Sequence, residues 1–217
     1  EFSTQHTSTF FAPMQFQSIT GQKETKEQLV QMVQHNRLSH ALLFLGKEGS
    51  GALQLALAFA QYIVCAPQPP EGGLFAAFEP QPESLNSPLG VGSKTDSCGT
   101  CPACTKANDL IHPDIHYAYP VITKKPGEKP VSTDFIKEWR EFIATNPYGN
   151  VYDWLQFIGA ENKQGNITAS ECTDIIRKLN LKSFESEYKI LIMWMPEFLG
   201  KEGNKLLKLI EEPPPNT

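Results

Sequence analysis

The chain of 217 residues is 40% hydrophobic and 20% charged, with 19 Lys+Arg against 24 Asp+Glu and a formal net charge of −5. It is too apolar for a disordered chain, no apolar run nears the ~20 residues a bilayer span needs, and the mild acidity argues against a domain that grips nucleic acid alone. At roughly 100–200 residues per domain, the length suits one large domain or one and a half small ones; five cysteines, three of them crowded together, favour a metal in a reducing cytosol over a secreted disulfide scaffold.

Residues 1–13, EFSTQHTSTFFAP, lack the basic and apolar regions of a secretory signal and read as a leader or flexible arm, with Met14 a natural start. Residues 23–36 place Leu29, Val30 and Val33 on one face of an amphipathic helix. Residues 40–45, HALLFL, form a short continuous apolar run, the pattern of a strand buried on both faces. Glycines break it, and residues 52–64 resume as an Ala/Leu-rich helix. Residues 67–97 hold many of the prolines with little periodicity and read as a mobile insertion.

A second strand is expected over 115–122, an exposed loop over 123–130, and a helix carrying Trp139 and Phe142 over 135–144. A further helix is expected over 167–181, a third buried strand over 188–195 (YKILIMWM), and a helix over 204–212 that Pro213 terminates. Strands alternating with helices imply an α/β fold with an open, mostly parallel sheet.

A nucleotide-binding phosphate loop, G-x-x-x-x-G-K-[ST], needs glycines so that backbone N–H groups cradle phosphates. Its Lys neutralises the terminal phosphates and its hydroxyl holds magnesium. Between strand and helix this chain carries Gly46-Lys47-Glu48-Gly49-Ser50-Gly51-Ala52-Leu53. Gly46, Gly49, Ser50 and Gly51 keep a backbone nest that attracts anions, but Ala52 and Leu53 replace the cation and the hydroxyl. Lys47 stands on the entry side of the loop. Magnesium-dependent hydrolysis should fail, and ATP binding should be weak or absent. The plainer reading of the same residues is a glycine-rich turn. The later strand helps to decide, since it ends Ile192-Met193-Trp194-Met195-Pro196-Glu197, apolar where an ATPase needs its magnesium-organising acid and a neighbouring Glu. Glu197 is displaced and follows a proline. Loss at two separate places points to a chain without catalytic residues.

Cys98-Gly99-Thr100-Cys101-Pro102-Ala103-Cys104 presents three thiols at two-residue gaps, and Cys65 ends the preceding helix. Four thiolates close a tetrahedral structural zinc site with no open position for catalysis, and looping out the long gap costs little. This defines a zinc module over 65–104. The alternatives are an iron–sulfur cluster, for which the run lacks a further Cys-Pro, and bare buried thiols. If Cys65 is not the fourth ligand, His112 or His116 is the fallback. Cys172 sits apart and reads as a small core residue. Lys94 and Lys106 are too sparse for a basic stripe beside the cysteines, and Trp139, Phe142, Trp154 and Phe157 read as packing residues rather than base-stacking platforms.

In this order the features resemble the AAA+ clamp-loader subunits of bacterial DNA polymerase III. The matching signs are Ile19-Thr20-Gly21-Gln22, Arg37-Leu38-Ser39-His40-Ala41, the glycine loop, the four cysteines, Asp174-Ile175-Ile176-Arg177, and the ending Asn204-Lys205-Leu206-Leu207-Lys208-Leu209-Ile210-Glu211-Glu212-Pro213-Pro214. The resemblance runs from about residue 14 to 217, interrupted by the insertion and by 123–166. It implies a P-loop AAA+ type sheet over 14–217 and a cytoplasmic, hetero-oligomeric ring with gamma/tau and delta subunits. Sliding clamp and primed DNA are then met through the complex.

Within that family the gamma/tau motor is an intact ATPase, whereas the delta-prime branch often has a damaged phosphate loop. Ala52, Leu53, Trp194 and Met195 resemble that branch, which implies a noncatalytic stator or scaffold. The alternatives are an active gamma/tau-like ATPase and a zinc-containing nucleic-acid-binding module. The family's Ser-Arg-Cys arginine and its next strand would lie beyond Thr217, so the chain reads as a truncated piece. That strand normally lies between the one entering the phosphate loop and the one ending near Trp194. The resemblance therefore implies an incomplete sheet, in which 40–45 and 188–195 face an unpaired slot, collapse, or borrow a strand from another molecule.

Overall fold

The computed structural model describes residues 14–66, 95–125 and 127–217. The expected leader, 1–13, and residues 67–94 of the expected insertion lie outside the described residues.

Helix α1 (Lys23–Gln34) buries Leu29, Val30 and Val33 as its 3.6-residue period demands. Helix α2 (Ala52–Val64) is apolar nearly all round because it is packed from two sides. Leu55, Ala58, Phe59 and Tyr62 meet Phe16, Ile19 and the buried face of α1, while Leu57, Ala60 and Val64 enter the main core. Helix α3 (Pro102–Asn108) starts on a proline whose missing N–H costs nothing at that position.

Strands β1 (Ile115–Ala118) and β2 (Ile190–Met193) pair in parallel, with Ile115 opposite Ile190 and Ala118 opposite Met193. A parallel pair requires a long crossover, here supplied by α4 (Ile136–Thr145), α5 (Val151–Phe157) and α6 (Ala169–Leu179). The two-residue period of the strands divides their side chains cleanly. Ile115, Ile190 and Ile192 face the main core, whereas Ala118, Leu191 and Met193 face Cys172, Ile175 and Leu179 of α6. Both faces are therefore covered, as parallel sheets require.

The main core is aromatic. Tyr119 stacks on Trp139 with centroids 4.1 Å apart, and Trp154 meets Trp139 edge to face at 5.2 Å. Trp139, Phe142 and Trp154 are thus packing residues, as expected; Phe157 sits at their edge and is partly exposed.

Three expectations are corrected. Residues 40–45 form neither strand nor helix, and Leu43 and Leu45 are 73% and 85% exposed. The run is apolar enough for a buried strand, but a strand needs a partner, and β2 pairs only with β1 among the described residues. Second, the helix expected over 204–212 is confined to α7 (Leu207–Glu211). Before it comes a 3-10 stretch, Pro196–Leu206, interrupted at Gly200 (φ +53°). Third, β1 ends at Ala118 rather than at residue 122, because the chain turns to form an isolated antiparallel bridge between Val121 and Asn166.

Candidate metal centre and glycine loop

The four module cysteines converge. Cys65 is the C-cap of α2, Cys98 and Cys101 lie on the approach to α3, and Cys104 lies within its first turn. Their sulfurs all lie within 4.8 Å of one another, and Cys98 Sγ stands 3.8 Å from Cys104 Sγ. Sulfurs at ~2.3 Å from one tetrahedral ion stand roughly 3.8 Å apart, so the donor set fits such an ion with little contraction.

Backbone amides complete the second layer. Cys98 N–H donates to Cys65 Sγ at 3.3 Å, Cys101 N–H to Cys98 Sγ at 3.3 Å, and Cys104 N–H to Cys101 Sγ at 3.4 Å. Each donor favours the charged thiolate that a metal requires. Among the sulfurs themselves, a hydrogen bond from the Cys104 thiol draws Cys65 down to about 5 and pushes Cys104 up.

His112 and His116 do not join this group of ligand atoms. His112 is buried, and its Nδ1 accepts the Asp114 N–H at 3.2 Å. His116 lies on β1. Cys172 is buried in α6, apart from the cluster, with its thiol 3.7 Å from the Glu202 carbonyl.

The glycine loop keeps its place at the entry of α2 but folds on itself. Gly51 is the N-cap of α2 at φ +81°, and Gly49 is left-handed at φ +74°. The Ser50 N–H donates to the Lys47 carbonyl at 3.0 Å, closing a tight turn. The Gln22 side-chain amide donates to the Ser50 carbonyl. The Ser50 hydroxyl is turned over Gly46, where a Cβ would come within 2.1 Å of it. Ala52 offers no cation, and Leu53 is packed against the main core. Of the four expected loop residues, Gly46, Gly49, Ser50 and Gly51, the structure brings Ser50 onto Gly46 and engages the Ser50 amide within the loop.

The end of β2 holds no acid in register. Trp194 joins the aromatic core 5.3 Å from Trp139, Met195 is left-handed at φ +55°, and Glu197 is exposed beyond Pro196. Sequence reasoning missed Asp96, Ser97 and Asn108, which bind the segment around Gln15, and Gln22 as a partner of the glycine loop. An Asp-Ser pair directly before the first clustered cysteine was the available signal.

A family model described as DNA polymerase III, delta subunit, matches residues 21–73 and 89–217. No curated protein matches the chain.

Proposed function

The chain belongs to the family described as DNA polymerase III, delta subunit, a family of clamp-loader-type subunits, and on that footing we propose that it is a noncatalytic, delta-prime-like stator. As a clamp-loader subunit it works in DNA replication within a complex containing other subunits. The proposed partners are gamma/tau and delta in a hetero-oligomeric ring, with the sliding clamp and primed DNA reached through the complex, in the cytoplasm. Among the described residues no helix is long and apolar enough to cross a membrane.

The observation that carries the noncatalytic reading is the self-closed glycine loop. A phosphate cradle works by pointing free backbone N–H groups at the ligand and adding a cation. Here the Ser50 amide is engaged by Lys47, Gln22 holds the Ser50 carbonyl, and Ala52 stands at the cation position. In place of chemistry the subunit contributes a fixed surface beside which ATP-driven neighbours move. The four cysteines fit structural zinc, the proposed cofactor, which would lock the module and leave no coordination position for a reactant.

Calorimetric titration of the purified chain with magnesium-ATP tests this reading, run beside an Ala52→Lys, Leu53→Thr double variant. No binding heat is expected for the natural chain. Tight magnesium-dependent binding by it would overturn the stator assignment in favour of a gamma/tau-like motor.

A further inference from the structure

Residues 14–17 are tied down by polar contacts to the stretch that carries the clustered cysteines. Met14 N–H donates to Asn108 Oδ1 at 2.9 Å, and Gln15 Nε2 donates to the Ser97 carbonyl at 2.7 Å. The Phe16 and Gln17 amides donate to the two carboxylate oxygens of Asp96 at 3.0 and 2.9 Å. Asp96 Oδ1 also accepts the Ser97 N–H at 2.8 Å, which fixes the carboxylate plane. The Gln15 side chain lies over Gly99, where a Cβ would stand 2.9 Å from Nε2. On its other side Ser97 Oγ accepts the buried Gln61 amide of α2 at 3.0 Å.

Asp96, Ser97, Gly99 and Asn108 all belong to the ligand loop and α3; Ala107 anchors the C-terminal half of α3 in the main core and Lys106 pairs with Glu185, while the loop before it is joined to the end of α2 chiefly through the cysteines and the Gln61–Ser97 bond. Helix α3 has seven residues, too short to persist alone. The cysteines form a small cluster of their own, with Ala103 packed against it. A metal on four thiolates would bind that loop firmly to the end of α2, since such ions supply local folding free energy directly.

We propose that the metal centre is a clasp for the N-terminal segment. Metal on Cys65, Cys98, Cys101 and Cys104 fixes residues 96–108, and these hold residues 14–17 on α2. The inference rests on reading the cysteine cluster as a metal site and goes beyond that reading by giving the ion a second task. Phe16 and Ile19 also insert among α1 and α2, but apolar contact alone sets neither the register of the segment nor partners for its amides. From Ile19 the chain passes within three residues to Gln22, so the clasp also places the side chain that closes the glycine loop.

Amide hydrogen exchange by NMR, with metal content measured on every sample, provides the test. Three samples are compared: the zinc-loaded chain, the chain stripped by chelation, and the Asp96→Ala variant loaded with zinc. Stripping and Asp96→Ala are each expected to speed exchange at Phe16 and Gln17 by about tenfold or more, while the Ile190 and Trp194 amides of the sheet stay protected. Asp96→Ala is expected to retain its metal. Unchanged exchange at Phe16 and Gln17 on stripping, or in the variant, would overturn the clasp while leaving the metal site standing. Loss of protection throughout β1 and β2 on stripping would also overturn it, making the ion a condition of the whole fold. A chain that takes up no zinc would overturn the metal reading and the clasp together.

Discussion

The Tyr148 ring lies against the backbone of Gly51: a Cβ built on that glycine would stand 3.1 Å from Cε1. The loop between α4 and α5 therefore braces the N-cap of α2 from outside. Gly51 also holds φ +81°, where an L side chain meets its own carbonyl. Gly51→Ala should cost roughly 1–2 kcal/mol from the backbone alone. Tyr148 is 44% exposed and free to swing outward, so adding Tyr148→Ala should restore little of that loss. Urea unfolding of the single and double variants reads both; full restoration would mean that the ring contact, not the backbone, is the constraint.

Trp139 and Trp154 offer a matched comparison inside the core. They meet edge to face at 5.2 Å, and both are essentially buried. The Trp154 N–H donates to the Pro120 carbonyl at 2.7 Å, whereas the Trp139 N–H has no partner among the described residues. Each Trp→Phe change loses apolar volume, but Trp154→Phe also strands a buried carbonyl, while Trp139→Phe removes an unpaired donor. Trp154→Phe should therefore be the more damaging by about 1–2 kcal/mol in denaturant unfolding. Equal losses would show that the Trp139 N–H is satisfied in solution.

Acid should weaken the fold in two stages. Burial holds His112 and His116 below their ordinary 6.5, so the folded chain keeps them neutral while the unfolded chain takes up protons as pH falls. Stability is lost from about pH 6.5 downward. Asp114 behaves differently: burial opposes its charge, but amides from Phe184, Ser186 and Glu185, at 2.5, 2.8 and 2.7 Å, hold it below its ordinary 3.8. Its stabilisation is present above the unfolded value and is lost as pH falls past 3.8 through the folded value. Glu171, raised by burial, works in the opposite sense. Variants rather than the natural curve alone therefore separate the stages. A His112→Gln, His116→Gln double variant should flatten the first stage, and Asp114→Asn the second, in urea unfolding followed from pH 7 to 3. A first stage unchanged in the histidine variant would sink the assignment.

What could be read in advance followed from local pattern. Ala52 to Val64 carries its own helix signal, and Thr168 announces α6 by accepting the Glu171 N–H at 3.1 Å. The cysteine cluster was legible because metal-ligand spacing is itself a local code. Residues 40–45 were misread because apolarity measures a wish to be buried, and whether a strand partner exists is a tertiary fact. Helix α5 was missed although Asn150 and Asp153 cap it reciprocally, since seven residues give too little periodicity. The closure of the glycine loop was illegible for another reason: Gln22 and Ser50 are 28 residues apart, and their bond depends on how α1 docks against α2.

The fifth cysteine supplies an internal control for the metal centre. Cys104 and Cys172 are equally buried, so burial alone does not distinguish them. Cys104 faces three other sulfurs, whereas Cys172 lies among Ile175, Leu179 and Leu206 with its thiol toward a backbone carbonyl. Cys104→Ser should abolish stoichiometric metal binding, because a neutral hydroxyl is a poor ligand where thiolates close the site. Cys172→Ser should keep one metal per chain and cost only about 1–2 kcal/mol, since its hydroxyl can still donate to the Glu202 carbonyl. Cobalt substituted for zinc adds two readouts, because intense visible d–d bands mark a tetrahedral rather than an octahedral site, and near-ultraviolet sulfur-to-metal charge transfer marks thiolate ligands. Loss of metal from the Cys172 variant, or octahedral cobalt in the natural chain, would move the ligand set away from Cys65, Cys98, Cys101 and Cys104.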